Sequence, residues 1–301
     1  MTIMTYNILR DADFKNGFRL KGLNSLKDGH SAKKTVCGKG KIPDWFLCQW
    51  NSRYDMATDG VLEKTAEGYR FYDASKSLET DEKGGVILSL GAEKEYDRPR
   101  AVDEPWPHLL LEQNIEPYVR ILDLSGLRVK GTFELKEFRD YMAGKEEEHH
   151  TAQFVWVMVV KNVNERSPDF GHFLWIVMSL FDSRYEFSPL YCAQDKALPD
   201  GEFIYSFCSA DYMKGKLLAG EPQTVDFDVY PRLGEMLKRA QAARYLTKTE
   251  MGDLALTGMN FGFEITGTYR ASVLAEEVGI WVTLRTEKDG INEKERKGEK
   301  I

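Results

Sequence analysis

From about Phe46 to Leu284 the chain is a succession of short apolar or alternating runs broken by Gly, Pro, Asp and Asn. The clearest are "WFLCQW", "GYRFYD", "GVILSL", "PHLLLEQ", "LRVKGTFELKEF", "TAQFVWVMVVKNV", "HFLWIVMSLF", "EFIYSF", "TVDFDV", "MNFGFEI" and "VGIWVTL". Runs of this length and spacing predict β-strands, and so many of them need two sheets packed face to face. Two long ones, "TAQFVWVMVVKNV" and "HFLWIVMSLF", flank a polar segment with Pro168 and Gly171 and predict a central hairpin. Both of its faces are apolar, as expected of strands that are covered on each side or that line a groove with aromatics.

One segment breaks the pattern. In "YPRLGEMLKRAQAARYL" the residues Leu233, Met236, Leu237 and Ala240 recur at helical spacing, and Pro231 suits a first helical turn. A single amphipathic helix is predicted over about Pro231 to Tyr245, capping the outside of a sheet. The ends of the chain differ from its middle: residues 1–40 are polar and Gly-rich and predict a partly irregular segment, 41–285 the β-sandwich, and 286–301 a charged, solvated tail.

Alternation assigns faces, because residues two apart on a strand point the same way. In "MNFGFEITG", Met259, Phe261, Phe263 and Ile265 share one side, and Asn260, Gly262 and Glu264 share the other. In "PHLLLEQ", Leu109 and Leu111 oppose His108, Leu110 and Glu112. With the leucines in the core, Glu112 and Glu264 both face a groove, with His108 and Asn260 beside them. Two carboxylates on one sheet face are what glycoside hydrolysis needs, one to protonate the leaving oxygen and one to attack or to activate water. Sugar rings stack on aromatic faces, for which Trp45, Trp50, Trp106, Trp156 and Trp175 are candidates. "LFDSRYEF" adds Asp182, Arg184 and Tyr185, either as a structural ion pair or as a rim that hydrogen-bonds sugar hydroxyls.

The strand-rich chain, the mid-chain glutamate and the late "FGFE" together resemble the concanavalin A-like jelly-roll glycanases, and within them the twelfth glycoside hydrolase family. The resemblance implies a jelly-roll sandwich with a substrate groove, Glu112 as nucleophile and Glu264 as acid/base. The candidate binding residues are His108, Trp50, Trp106, Gln153, Asn260, Asp182, Arg184 and Tyr185. Two other readings stand beside the hydrolase. One is a non-catalytic carbohydrate-binding module that uses the same groove, and the other a polysaccharide lyase, of whose residue set "HHTAQF" with His150 and Gln153 offers a fragment. An ExDxxE signature and a GxSxG nucleophile elbow are both absent.

Composition narrows the partners. The 301 residues are 42% hydrophobic, enough for a substantial core, and the formal charge of -7 comes with no basic stripe for a phosphate backbone. Carbohydrate, not nucleic acid, is the expected partner. No run of about 18 apolar residues occurs and no leader is visible, so the expected location is cytoplasmic, a secreted mature form being the alternative. Cys37, Cys48, Cys192 and Cys208 lack metal-ligand spacing and read as buried, reduced thiols, while His149 and His150 follow an acidic run and read as a solvated loop. "KKTVCGKGK" lacks the spacing of a phosphate loop, and neither a metal nor a cofactor is expected.

Overall fold

The computed structural model describes residues 4–23, 32–36, 41–142, 149–195 and 201–285. In chain order the strands are β1 (Thr5–Asn7), β2 (Phe18–Lys21), β3 (Ala32–Val36), β4 (Trp45–Cys48), β5 (Val61–Lys64), β6 (Gly68–Tyr72), β7 (Lys76–Asp81), β8 (Val86–Gly91), β9 (His108–Arg120), β10 (Leu124–Asp140), β11 (Ala152–Asn162), β12 (Phe173–Asp182), β13 (Tyr191–Gln194), β14 (Phe203–Ser206), β15 (Gln223–Asp228), β16 (Leu254–Ile265) and β17 (Tyr269–Leu284). They form two sheets. One runs β15-β10-β17-β8-β7-β6-β5, with β1 also paired to β17. The other runs β13-β14-β12-β11-β16-β9-β4-β2-β3. The expected two-sheet, all-β architecture is therefore what the chain adopts. Every run read as a strand lies in one, and β11 and β12 pair as the antiparallel hairpin near the middle of the larger sheet.

The core lies between the sheets and is built from the residues that alternation points inward. Phe154, Trp156, Phe261, Phe263, Leu109 and Leu111 from the larger sheet are all fully buried. Phe133 of the smaller sheet meets them, its ring 6.2 Å from Phe154 and 6.0 Å from Trp156. Each such side chain removed from water contributes about 1.5–3 kcal/mol, so this interdigitated layer sets which face of each strand is left outside.

The helix is shorter than the sequence pattern. A 3-10 turn over Tyr230–Arg232 leads into α2 (Leu233–Ala242), preceded in the chain by the short α1 (Met56–Asp59). Leu233, Met236, Leu237 and Ala240 are buried as the periodicity requires. They join the core: Arg239 lies 5.9 Å from the Tyr205 ring on β14, and Tyr245 stacks on Phe203. The helix thus packs beside β14.

Near the N-terminal side, β1 pairs with β17 while β2 and β3 extend the larger sheet. The charged stretch 286–301 and Cys37 lie outside the described residues. Cys48 is buried, but Cys192 and Cys208 are partly exposed, which corrects the reading of all the thiols as buried; all three are free.

Candidate functional site

The outer face of the larger sheet carries the residues left over when the apolar rows turn inward. Strand register arranges them in three cross-strand rows. In the first, Asp182 of β12 pairs with Gln153 of β11, Gln153 with Glu264 of β16, and Glu264 with His108 of β9. The second row is a mostly apolar floor of Val155, Gly262, Leu110 and Cys48, ending at Ser179. The third runs Val177, Val157, Asn260, Glu112, Phe46 and Arg19. Glycine is required in the floor: Gly262 has φ +146°, and a Cβ there would lie 2.2 Å from the Leu109 carbonyl oxygen.

Glu264 is the most accessible acid of the first row, with 30% of its side chain exposed. Its Oε2 accepts a hydrogen bond from Trp106 Nε1 at 3.4 Å and lies 3.7 Å from His108 Nε2. His108 is held between two tryptophans, stacked on Trp106 at 5.6 Å and tilted against Trp50 at 5.7 Å. Arg100 lies over the Trp106 ring, 5.0 Å from its centre. Two polar atoms of this face, His108 Nδ1 and Asn260 Oδ1, are buried without a hydrogen-bond partner.

Asp182 is buried and fully engaged. It accepts from Thr151 Oγ1 at 2.9 Å, from Gln153 Nε2 at 2.7 Å, from the Arg184 backbone at 2.9 Å, and from the Arg184 guanidinium at 3.0 and 2.8 Å. Burial pushes its pKa up, but the hydrogen bonds and charge of Arg184 outweigh this and hold the carboxyl below its usual range. Between the two readings of "LFDSRYEF", the geometry is that of an ion pair, and Arg184 in turn lies 4.9 Å over the exposed Tyr185 ring. Because Gln153 donates its amide N–H to Asp182, its carbonyl oxygen is turned away from that carboxylate.

Glu112 shares the outer face with Glu264 but sits in the third row. It pairs with Asn260, four residues along β16 from Glu264, which sets the two backbones about 14 Å apart along the strand. The Glu112 carboxylate is bound by Lys21, whose side chain is buried, and lies 3.9 Å from the Cys48 thiol. Burial first, and then the Glu112 charge, push that thiol's pKa well up. Lys21 and Arg19 frame the Phe46 ring at 4.5 and 3.9 Å.

A search of solved structures returns several β-sandwich glycanases. The chain is similar to a family 12 xyloglucanase from Bacillus licheniformis, with 11% identity and a TM-score of 0.43 over 75% of this chain and 97% of that one. It is similar to a metagenome-derived family 12 endoglucanase, with 10% identity and a TM-score of 0.40 over 75% and 99% of the two chains. A third is endoglucanase cel12A from Rhodothermus marinus, with 10% identity and a TM-score of 0.38 over 75% and 100%. No family model and no curated protein matches the sequence.

Of the residues expected in the groove, Glu264, His108, Gln153, Trp50 and Trp106 come together, Glu112 and Asn260 lie one row beyond the floor, and Asp182, Arg184 and Tyr185 stand at the β12 end. Trp45 and Trp156 are corrections: both are fully buried in the inner layer and present no face to a ligand. His150 is also corrected, being a buried residue whose Nε2 bonds the Arg100 carbonyl at 2.8 Å. Lys21, Arg19 and Arg100 were missed. The alternation of "FRLK" was the available signal for the first two, masked by the polar residues around it. Among the described residues no group of His, Cys, Asp and Glu is arranged to hold a metal.

Proposed function

We propose that the outer face of the larger sheet binds a carbohydrate chain. The observation that carries this is the in-register row Asp182–Gln153–Glu264–His108, which places an amide, a carboxylate and an imidazole side by side at about 5 Å intervals between Trp50 and Trp106 at one end and Tyr185 at the other. Sugars offer an apolar ring face for stacking and a rim of hydroxyls for such acceptors and donors. Beside the tryptophan end, a cavity of about 340 Å³ lined by Asn51, Arg53, Tyr96, Arg98 and Pro105 continues the surface. Its arginines are neutralised by bidentate pairing, Arg53 with Asp97 and Arg98 with Glu104, so it suits a neutral ligand.

Glycoside hydrolysis at the same face is the second reading. It is favoured by Glu264, whose carboxyl lies between an indole N–H and an imidazole at the edge of an apolar floor, a setting suited to proton transfer. Calorimetry and cleavage assays on a panel of neutral polysaccharides, with wild type, Trp106→Ala, Glu112→Gln and Glu264→Gln, test both readings. Binding that weakens about tenfold in Trp106→Ala supports the carbohydrate site, the loss of one aromatic stack being of order 1 kcal/mol. Unchanged binding in that variant places the ligand elsewhere. Wild-type cleavage that Glu264→Gln abolishes while its glycan binding and folding are kept supports the hydrolase.

A further inference from the structure

The loop that carries Trp50 to His108 is tied to the smaller sheet by a buried cation. Lys76 is the first residue of β7, and its side chain is 0% exposed. Oxygens from five residues surround its Nζ: Ser52 Oγ at 2.6 Å, Asp73 Oδ2 at 2.8 Å, the Tyr54 carbonyl at 2.9 Å, Ser75 Oγ at 3.1 Å and Glu95 Oε1 at 3.4 Å. An ammonium has only three hydrogens to donate, so this is an oxygen cage around a charge and not a set of matched pairs. Asp73 and Glu95 are themselves 0% and 1% exposed, and the cation between them is what lets two carboxylates share this interior. Glu95 relays the anchorage. Its Oε1 also accepts from Ser52 Oγ at 2.7 Å and from Ser75 Oγ, and its Oε2 accepts from the Arg53 backbone N–H. Trp50 is thereby fixed on both sides. Its carbonyl accepts from the His108 N–H at 3.0 Å, and beyond Asn51, which turns the chain at φ +56°, Ser52 and Arg53 are held on Glu95. The adjoining Tyr96 donates its hydroxyl to the Ile265 carbonyl at 3.1 Å, one residue after Glu264. The Arg53–Asp97 pair, 42% and 84% exposed, is screened by water and adds little to this brace.

We infer that Lys76 is a positioning residue of the glycan face: a tethered cation that locks Glu95, and through Glu95 and Tyr96 sets Trp50 and the end of β16 about His108. The two arms meet at His108, which lies 5.7 Å from the Trp50 ring and 3.7 Å from Glu264 Oε2. Without the cation, Asp73 and Glu95 repel each other. Asp73 is kept in place by the Ser75 and Lys76 backbone N–H groups, at 2.8 Å each, so the repulsion falls on Glu95 and on the loop it holds. The effect on binding rests on the carbohydrate reading of this face; the placement of Trp50 does not.

Two variants test this. Lys76→Ala empties the cage and leaves open the path of the lost methylenes, and Glu95→Gln keeps the shape but turns an amide N–H toward the Arg53 N–H. Each is compared with wild type in ammonium chloride and in tetramethylammonium chloride at equal ionic strength, the second cation being too large for the cage. The readings are the melting temperature, the His108 ring-proton NMR signals, and calorimetry with neutral polysaccharides. Ring currents make the His108 signals report the position of Trp50, and their absence from His108→Gln assigns them. Wild type should be the same in both salts. In tetramethylammonium, Lys76→Ala should melt lower, show displaced His108 signals and bind glycan about tenfold more weakly, the loss of one aromatic stack. Ammonium should restore all three. Glu95→Gln should displace the signals and weaken binding in both salts. Ammonium that fails to restore the His108 signals of Lys76→Ala overturns the inference even if it restores the melting temperature, because the lysine is then structural only. Wild-type His108 signals in Lys76→Ala under tetramethylammonium overturn it as well. If Lys76→Ala folds in neither salt, Glu95→Gln decides: displaced His108 signals uphold the inference, and wild-type signals overturn it. A wild type that binds no glycan overturns the carbohydrate reading, while the His108 signals still decide whether Lys76 positions Trp50.

Discussion

Replacing Glu112 by leucine separates a structural carboxylate from a reacting one. The Lys21 side chain is 1% exposed and that of Glu112 16%, and the two are joined by a charge-assisted hydrogen bond under the Phe46 ring. Removing the acid takes the Glu112 carboxylate from an ammonium in a site that water scarcely reaches. Removing one partner of a buried pair costs up to about 3–5 kcal/mol, most of it the desolvation of the remaining charge and not the strength of the lost bond. For a chain of this size the midpoint of thermal unfolding should fall by roughly 6–15 °C. Replacing both partners, as Lys21→Met/Glu112→Leu, removes the stranded charge and should recover all but about 1 kcal/mol. Urea unfolding of the four proteins therefore gives a coupling energy of at least about 2–4 kcal/mol, larger by whatever Lys21→Met costs alone. A coupling near zero, or a Glu112→Leu protein as stable as wild type, would refute the claim that this ion pair anchors β2 to the edge of the site.

Other outcomes follow from the same coordinates. Gly262→Ala places a Cβ 2.2 Å from the Leu109 carbonyl at φ +146°, so it should cost about 2–4 kcal/mol and be read as a lowered melting temperature. Asp182 has a folded pKa held below its usual value, so it stabilises the fold above about pH 4 and loses that contribution as the pH falls through the depressed value. The stability difference between wild type and Asp182→Asn should therefore shrink below about pH 4 in urea titrations, and a constant difference would contradict the sign. Cys192 and Cys208 are partly exposed and Cys48 is buried with its thiol pKa raised, so a thiol reagent at pH 8 should label the first two in the native protein and Cys48 only on unfolding.

Strand identity and strand face were legible in the sequence because they are local. "MNFGFEI" places Met259, Phe261 and Phe263 inward and Glu264 outward whatever it pairs with, since alternation is a property of one extended chain and the burial of its apolar row is the dominant energy. The helix around Met236 and Leu237 was legible for the same reason, although the strand it packs beside was not. The short strands β2 and β3 escaped detection because their neighbours are polar and their inward residues few, so the larger sheet had to supply the partners that make them strands. Register is where local information ends. Parity puts Glu112, Glu264 and Gln153 on one face, but only the pairing of β16 with β11 and β9 decides that Gln153 stands opposite Glu264 while Glu112 stands four residues away. The same limit explains Trp45 and Trp156. An aromatic in a strand has the same composition on either face, and only the packing of one sheet against the other turned these two indoles into core and left Trp50 and Trp106 beside His108.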